Sequence, residues 1–242
     1  MADANFDGDV ARAGALLDQF GDWIDRYRGG MPAGWMASIM LHESGGNFAA
    51  PGDPTLGEVG YFQIANYVPG LFGYDADVRA DPETNVALAS LEYALEAVLW
   101  AIDVPQVQLG TADSWKLARL SFAVGRAGSR TLAALAANAG GLDSGNVYNS
   151  IVRFVLANGG VPLGSQSATK VAQRVIDIDR QWAIGQAVSG GLVGPPTLIP
   201  DPPAGPYTLP PGTEDYFVTP FPVTILLLGG LAILGYLIMR RK

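Results

Sequence analysis

Glu43 closes an apolar stretch, with Trp35, Met36, Ile39, Met40 and Leu41 before it and Ser44-Gly45-Gly46-Asn47 after it. A carboxyl group therefore stands where a helix-like run breaks into a glycine-containing loop. Apolar surroundings disfavour the charged form, so desolvation is expected to raise its pKa and suit it to donating a proton near neutral pH. Seventeen residues after Glu43 comes Gly60-Tyr61-Phe62-Gln63-Ile64, a compact group with one amide side chain. Asp53 and Glu58 lie between them as the nearby second carboxyls. His42 adjoins Glu43, but successive helical residues point about 100° apart, so it receives no catalytic role.

These groups need helices to position them. Val10, Leu17, Phe20, Trp23, Ile24 and Tyr27 recur at helical spacing, and Gly29-Gly30 stops that element. Pro32 opens a second helix that ends near Glu43. Asp81-Pro82-Glu83 reads as an N-cap with proline in the first turn, followed by Val86, Leu91, Leu95, Val98, Leu99 and Ile102. Further helices are expected at Ala112 to Val124, Arg130 to Asn138, Val147 to Ala157 and Ser167 to Val188. Strand signals are thin, and only Asn47 to Ala65 offers room for a small hairpin or irregular layer. The class is mainly α.

Composition narrows the chemistry. With 242 residues and 49% apolar content the chain can bury a sizeable core. Cysteine is absent and there is one histidine, which removes thiolate chemistry, disulfides and most metal sites, so no metal and no cofactor is expected. A net charge of -8 argues against nucleic acid as a partner, because phosphate binding needs a surplus of Lys and Arg on one face. The first residues show no basic and apolar signal-peptide pattern.

The last fifty residues differ in kind. Ten of the 17 prolines lie between Gly194 and Pro222, a density that prevents a helix or a central strand and marks a linker. Val223 to Met239 is uncharged and apolar, about 26 Å as a helix, and Arg240-Arg241-Lys242 closes the chain. The expected organisation is a catalytic domain over 1–190, a Pro/Gly-rich linker over 191–221, and a C-terminal transmembrane helix with a basic tail over 222–242. The lipid membrane would be a partner through that helix.

Four motifs in order carry a resemblance: Glu43-Ser44, Gly60-Tyr61-Phe62-Gln63-Ile64, Ala123-Val124-Gly125-Arg126-Ala127-Gly128, and Tyr148 in Asn146-Val147-Tyr148. Over about residues 30–155 the series resembles the soluble lytic transglycosylases, relatives of goose-type lysozyme. That family shows Glu-Ser, a Gly-Leu-Met-Gln-type motif, Tyr-Asn-Ala-Gly and a later tyrosine. The resemblance implies a lysozyme-like helical domain. It also implies cleavage of the β-1,4 bond between N-acetylmuramic acid and N-acetylglucosamine in peptidoglycan, giving a 1,6-anhydro product. Glu43 would protonate the leaving oxygen and then act as base on the sugar 6-hydroxyl, with the substrate acetamido group assisting in place of a second carboxylate.

By the same resemblance the substrate contacts fall to Ser44, Gly60, Tyr61, Gln63 and Tyr148. Ser44 would orient the Glu43 carboxylate, although its hydroxyl is equally suited to capping the following turn. Tyr148, on an apolar helix, is as suited to the core as to a ligand. Gly125-Arg126 replaces Tyr-Asn, so those contacts cannot be carried over; Arg126 could face a wall-peptide carboxylate or simply solvent.

The layout of catalytic domain, spacer and C-terminal anchor also resembles the virion transglycosylases of tailless bacteriophages with an internal membrane, which open the cell wall for genome entry. Peptidoglycan glycan strands and other virion membrane proteins are the partners such a setting implies. Two other accounts fit the residues. One is an inactive or structural wall-binding membrane protein with a degenerate lysozyme-like fold, motivated by the missing Tyr-Asn pair. The other is a hydrolytic lysozyme, which would need a second carboxylate about 6.5–9.5 Å from the acid to activate water.

Overall fold

The computed structural model describes residues 5–74 and 76–190. The linker and transmembrane segment expected at 191–221 and 222–242 lie outside the described residues. The chain divides into two units, Met1–Ala204 and Gly205–Lys242, and every described residue belongs to the first.

That unit is mainly helical. Its helices are α1 (Phe6–Tyr27), α2 (Ala33–Ser44), α3 (Val68–Leu71), α4 (Pro82–Asp103), α5 (Ala112–Val124), α6 (Arg126–Gly140), α7 (Val147–Ala157) and α8 (Ala168–Val188), with a 3₁₀ turn at Ala76–Ala80. No strand forms among the described residues. The expected hairpin layer is reduced to one antiparallel bridge, Val59 with Ile64, around the Gly60 turn.

Local chemistry sets the helix starts. The carboxylate of Asp81 accepts from the Thr84 backbone N–H at 2.8 Å, and Ser167 caps α8 through the Lys170 N–H at 3.2 Å. Buried Asp113, on α5, caps a different helix: it accepts from the N–H groups of Val147 and Tyr148 at 3.1 and 2.7 Å. The start of α7 is thereby fixed to α5.

α2 packs against α1 on one side and α8 on the other. The α2–α8 crossing is close because both helices present glycine there: a Cβ on Gly185 would lie 2.5 Å from the Trp35 Cα. Ser38 on α2 donates to the Gln181 carbonyl on α8 at 2.8 Å, and the Trp35 and Trp182 rings meet edge-on at 4.8 Å. Two core clusters result. One gathers α1, α2, the Tyr61–Val68 segment and the first half of α4; the other gathers Trp100 with α5, α6, α7 and α8. Helices α4 and α5 contribute to both clusters, so their facing sides join the two.

α4 is also the one helix among the described residues long and apolar enough to cross a membrane. In this fold 61% of its apolar window is buried against the other helices.

Candidate functional site

The site grows from the end of α2. Gly45, in the left-handed region at φ +64°, terminates the helix, and its N–H returns to the Leu41 carbonyl. Glu43 is thereby left in the last turn with 17% of its side chain exposed. Its carboxylate is ion-paired with Arg119 of α5, whose side chain is only 2% exposed. Arg119 spends its other donors on two more helices: Nε on the Gln181 side-chain oxygen of α8 at 3.0 Å, and Nη1 on the Tyr93 hydroxyl of α4 at 3.2 Å. A single buried guanidinium thus ties α2, α4, α5 and α8 together behind Glu43. Burial alone would lower the pKa of Arg119, but Glu43 and Tyr93 outweigh it and hold the charge. The setting expected for Glu43 was apolar, and the structure adds a charged partner to it.

The Gly60–Ile64 motif reaches the same region. Gln63 donates from Nε2 to the Gly60 carbonyl at 2.8 Å and to the Ala50 carbonyl at 3.4 Å, tying the motif to the loop that leaves Glu43. Gln63 is the non-glycine residue with positive φ among the described residues, at +52°, and it is 3% exposed. Such a backbone costs roughly 1 kcal/mol or more for a side chain with a Cβ, so its neighbours must enforce it. Gly60 sits at φ +83° with no space for a Cβ, which would meet the Asn85 side chain at 2.3 Å. Asn85 in turn accepts from the Phe62 N–H at 3.2 Å and donates to the Val59 carbonyl at 3.1 Å, pinning the turn onto α4.

The structure ties Gln63 to Gly60 and to the loop that leaves Glu43, and engages Ser44, Tyr61 and Tyr148 in contacts of their own. The Ser44 hydroxyl donates to the Met40 carbonyl and accepts from the Gly46 N–H, both at 3.2 Å; it caps the turn. Tyr61 packs between Phe20 and Phe48, at 4.7 and 5.0 Å between ring centroids, in the first core cluster. Tyr148 is 1% exposed, its hydroxyl donates to the Val175 carbonyl at 2.7 Å, and burial pushes its pKa well above the usual tyrosine value. It is a core residue of the second cluster. Gln63 keeps its amide nitrogen on loop carbonyls, while its Oε1 is buried and has no partner. His42 is exposed.

Four further acidic and basic groups complete the region. Glu58, in the loop before the Gly60 turn, accepts from the Asp53 N–H at 3.0 Å. Its pKa is raised by burial, and the charges of Glu43 and Asp53 add to the effect. Glu92 and Glu96 lie one turn apart on α4, each 8% exposed. Burial first, and then the charge of Glu96, pushes the Glu92 carboxyl up to about 8, against the attraction of Arg126 and Arg119. Arg126, the first residue of α6, reaches back to Glu96 with Nε at 2.8 Å and also with Nη2. It pairs with an acid of its own chain while 38% of its side chain stays exposed to solvent.

Arg119, Tyr93, Glu92 and Glu96 were not singled out from sequence. Glu92 and Glu96 carried one signal, two carboxylates four residues apart inside an otherwise apolar helix. Among the described residues no group of three or more His, Asp or Glu is arranged to hold a metal ion. No protein-family model, curated protein or solved structure matches this chain.

Proposed function

We propose that this chain is a peptidoglycan-cleaving lytic transglycosylase with a lysozyme-like helical domain. It cuts the MurNAc–GlcNAc β-1,4 bond to a 1,6-anhydro product, with Glu43 as the acid and then the base. The observation that carries the reading is the convergence of the two motifs: a partly exposed Glu43, braced from behind by Arg119, beside a strained turn whose Gln63 is tied to the loop leaving Glu43. A rigid carboxyl at a helix end is what repeated proton transfer at one oxygen requires, and general acid help of this kind is worth typically 10²–10⁴-fold. The apolar segment at Val223 to Met239 and the proline-rich stretch before it support a tethered enzyme, and with them a virion membrane protein that opens the wall during genome entry.

A hydrolytic lysozyme is the second reading, favoured by Glu58, whose carboxyl interacts with Glu43 and holds its proton more tightly than usual. The test has two parts. Glu43→Gln should abolish clearing in a peptidoglycan zymogram while the helical circular dichroism is retained. Mass spectrometry of products from sacculi should show anhydromuropeptides; reducing ends would assign hydrolysis instead. Undiminished clearing by folded Glu43→Gln would remove Glu43 from the mechanism.

A further inference from the structure

Arg174, on α8, stands apart from the other arginines of the described residues. Each of the others holds an acid or a carbonyl of its own chain. Arg174 makes no hydrogen bond and no ion pair among the described residues. Its Nε is buried with no partner, and its two Nη atoms, unbonded and not buried, stay open to solvent. A half-buried cation without a counter-ion gives up part of its hydration and receives nothing from the fold in return.

Helix register places this charge. Residues 174, 178, 181 and 185 are spaced by four, three and four, so they share one face of α8. That face meets α2: Gly185 lies against Gly34 and Trp35, and the Gln181 carbonyl accepts from the Ser38 hydroxyl. Later residues of α2 thus meet earlier residues of α8, and Arg174 stands at the end of α2 that carries Glu43. The electrostatics agree, since the charge of Arg174 reaches His42 on α2 and Glu58 in the loop before Gly60, and Glu58 also feels Glu43. Glu43 and the Arg174 guanidinium are both partly open to solvent, so one ligand can touch the two.

Charge chooses the ligand. Arg119 is committed to Glu43 from behind and Arg126 to Glu96, which leaves Arg174 to take an anion near Glu43. A guanidinium presents two parallel N–H groups to a planar carboxylate, a pairing stronger and more directional than a neutral hydrogen bond. We propose that Arg174 binds a carboxylate carried by the glycan next to the bond that Glu43 protonates, and so selects strands containing muramic acid over strands of N-acetylglucosamine alone. The substrate class rests on the peptidoglycan reading; the unpaired cation beside Glu43 does not. The carboxylate has two sources, the lactyl group of muramic acid where it is bare and the stem peptide where one is attached. Arg174 takes the part considered for Arg126.

The experiment is calorimetric titration of the full chain with three disaccharides that lack the scissile MurNAc–GlcNAc bond, so that binding is read without turnover. They are neutral N,N′-diacetylchitobiose, GlcNAc–MurNAc with its lactyl carboxyl free, and GlcNAc–MurNAc bearing its stem peptide. A carboxylate ligand should bind about tenfold more tightly than chitobiose. Preference already present with the free lactyl group assigns the carboxylate to the sugar, and preference that appears only with the peptide assigns it to the stem. Arg174→Gln should bring the charged ligands to the level of chitobiose with helical circular dichroism retained, and Arg174→Lys, which keeps the charge, should restore part of the preference. Equal binding of the three ligands, a preference that survives Arg174→Gln, or no binding of any of them would each overturn the proposal. Arg174-dependent preference in a chain that leaves sacculi intact would overturn the transglycosylase reading and leave this site standing. Cleavage of sacculi without that preference would do the reverse.

Discussion

Glu92 makes folding stability depend on pH in the direction opposite to an ordinary salt-bridged acid. Its folded pKa of about 8 stands above its ordinary 4.5, so between those values the unfolded chain gives up a proton that the folded chain keeps. Over that interval the folded state binds more protons, and stability falls as pH rises; below about 4 and above about 9 this group contributes no slope. The interval corresponds to an upper bound of roughly 5 kcal/mol. Glu92→Gln carries no charge to desolvate, so relative to the parent chain it should become progressively more stable from pH 4.5 to 8. Urea midpoints at pH 4.5, 6 and 8 check this. A constant difference between the two proteins across the series would mean that Glu92 is ionised in the fold.

At the scale of elements, the helices were largely legible because their starts carry caps and their ends carry glycine. α5 and α7 occupy the expected Ala112 to Val124 and Val147 to Ala157, and α8 begins one residue after its cap, Ser167. α6 was expected at Arg130 to Asn138 and runs from Arg126 to Gly140. In the fold Gly125 alone makes the turn, at φ +76°, while Gly128 is an ordinary helical residue facing Leu163. That shift of one turn is what puts Arg126 against Glu96. The short α3 and the 3₁₀ turn were missed, being too brief for periodicity to show.

Half of the candidate site was legible: Glu43 and Gln63 are announced by local sequence, whereas Arg119 looks like a surface residue within α5 until α2, α4 and α8 close over it. Gly185 shows how much depends on that closure. Its missing Cβ lets the α2 backbone approach, and Gln181, one turn earlier, holds Arg119. In Gly185→Ala the methyl group would lie 2.5 Å from Trp35 Cα, a backbone atom that cannot yield, so the helices must part. A loss of about 2–3 kcal/mol in denaturant unfolding is expected, and, on the proposed peptidoglycan-cleaving function, a lower kcat with KM little changed as Glu43 loses its brace. Unchanged stability would show that the crossing adjusts freely.

For the whole molecule, two segments compete as the contact with a membrane: α4, which is apolar enough by length and composition, and the stretch at Val223 to Met239. The fold assigns α4 to the interior. Its buried side carries Asn85, Tyr93 and Glu96, which hold the Gly60 turn, Arg119 and Arg126, and withdrawing it would dismantle both core clusters. In lipid Glu92 and Glu96 would each cost a few kcal/mol near mid-span, and the hydrogen bonds the helix makes would be lost as well. The tail segment has no charge over seventeen residues and three basic residues beyond them, which suits anionic headgroups. The full chain should therefore float with liposomes containing anionic lipid and stay with them in 1 M salt, because apolar insertion is not screened. A chain ending at residue 190 should remain in the lower fractions with its helical content intact. Flotation of that shorter chain would mean that α4, or another face of the helical unit, meets the bilayer.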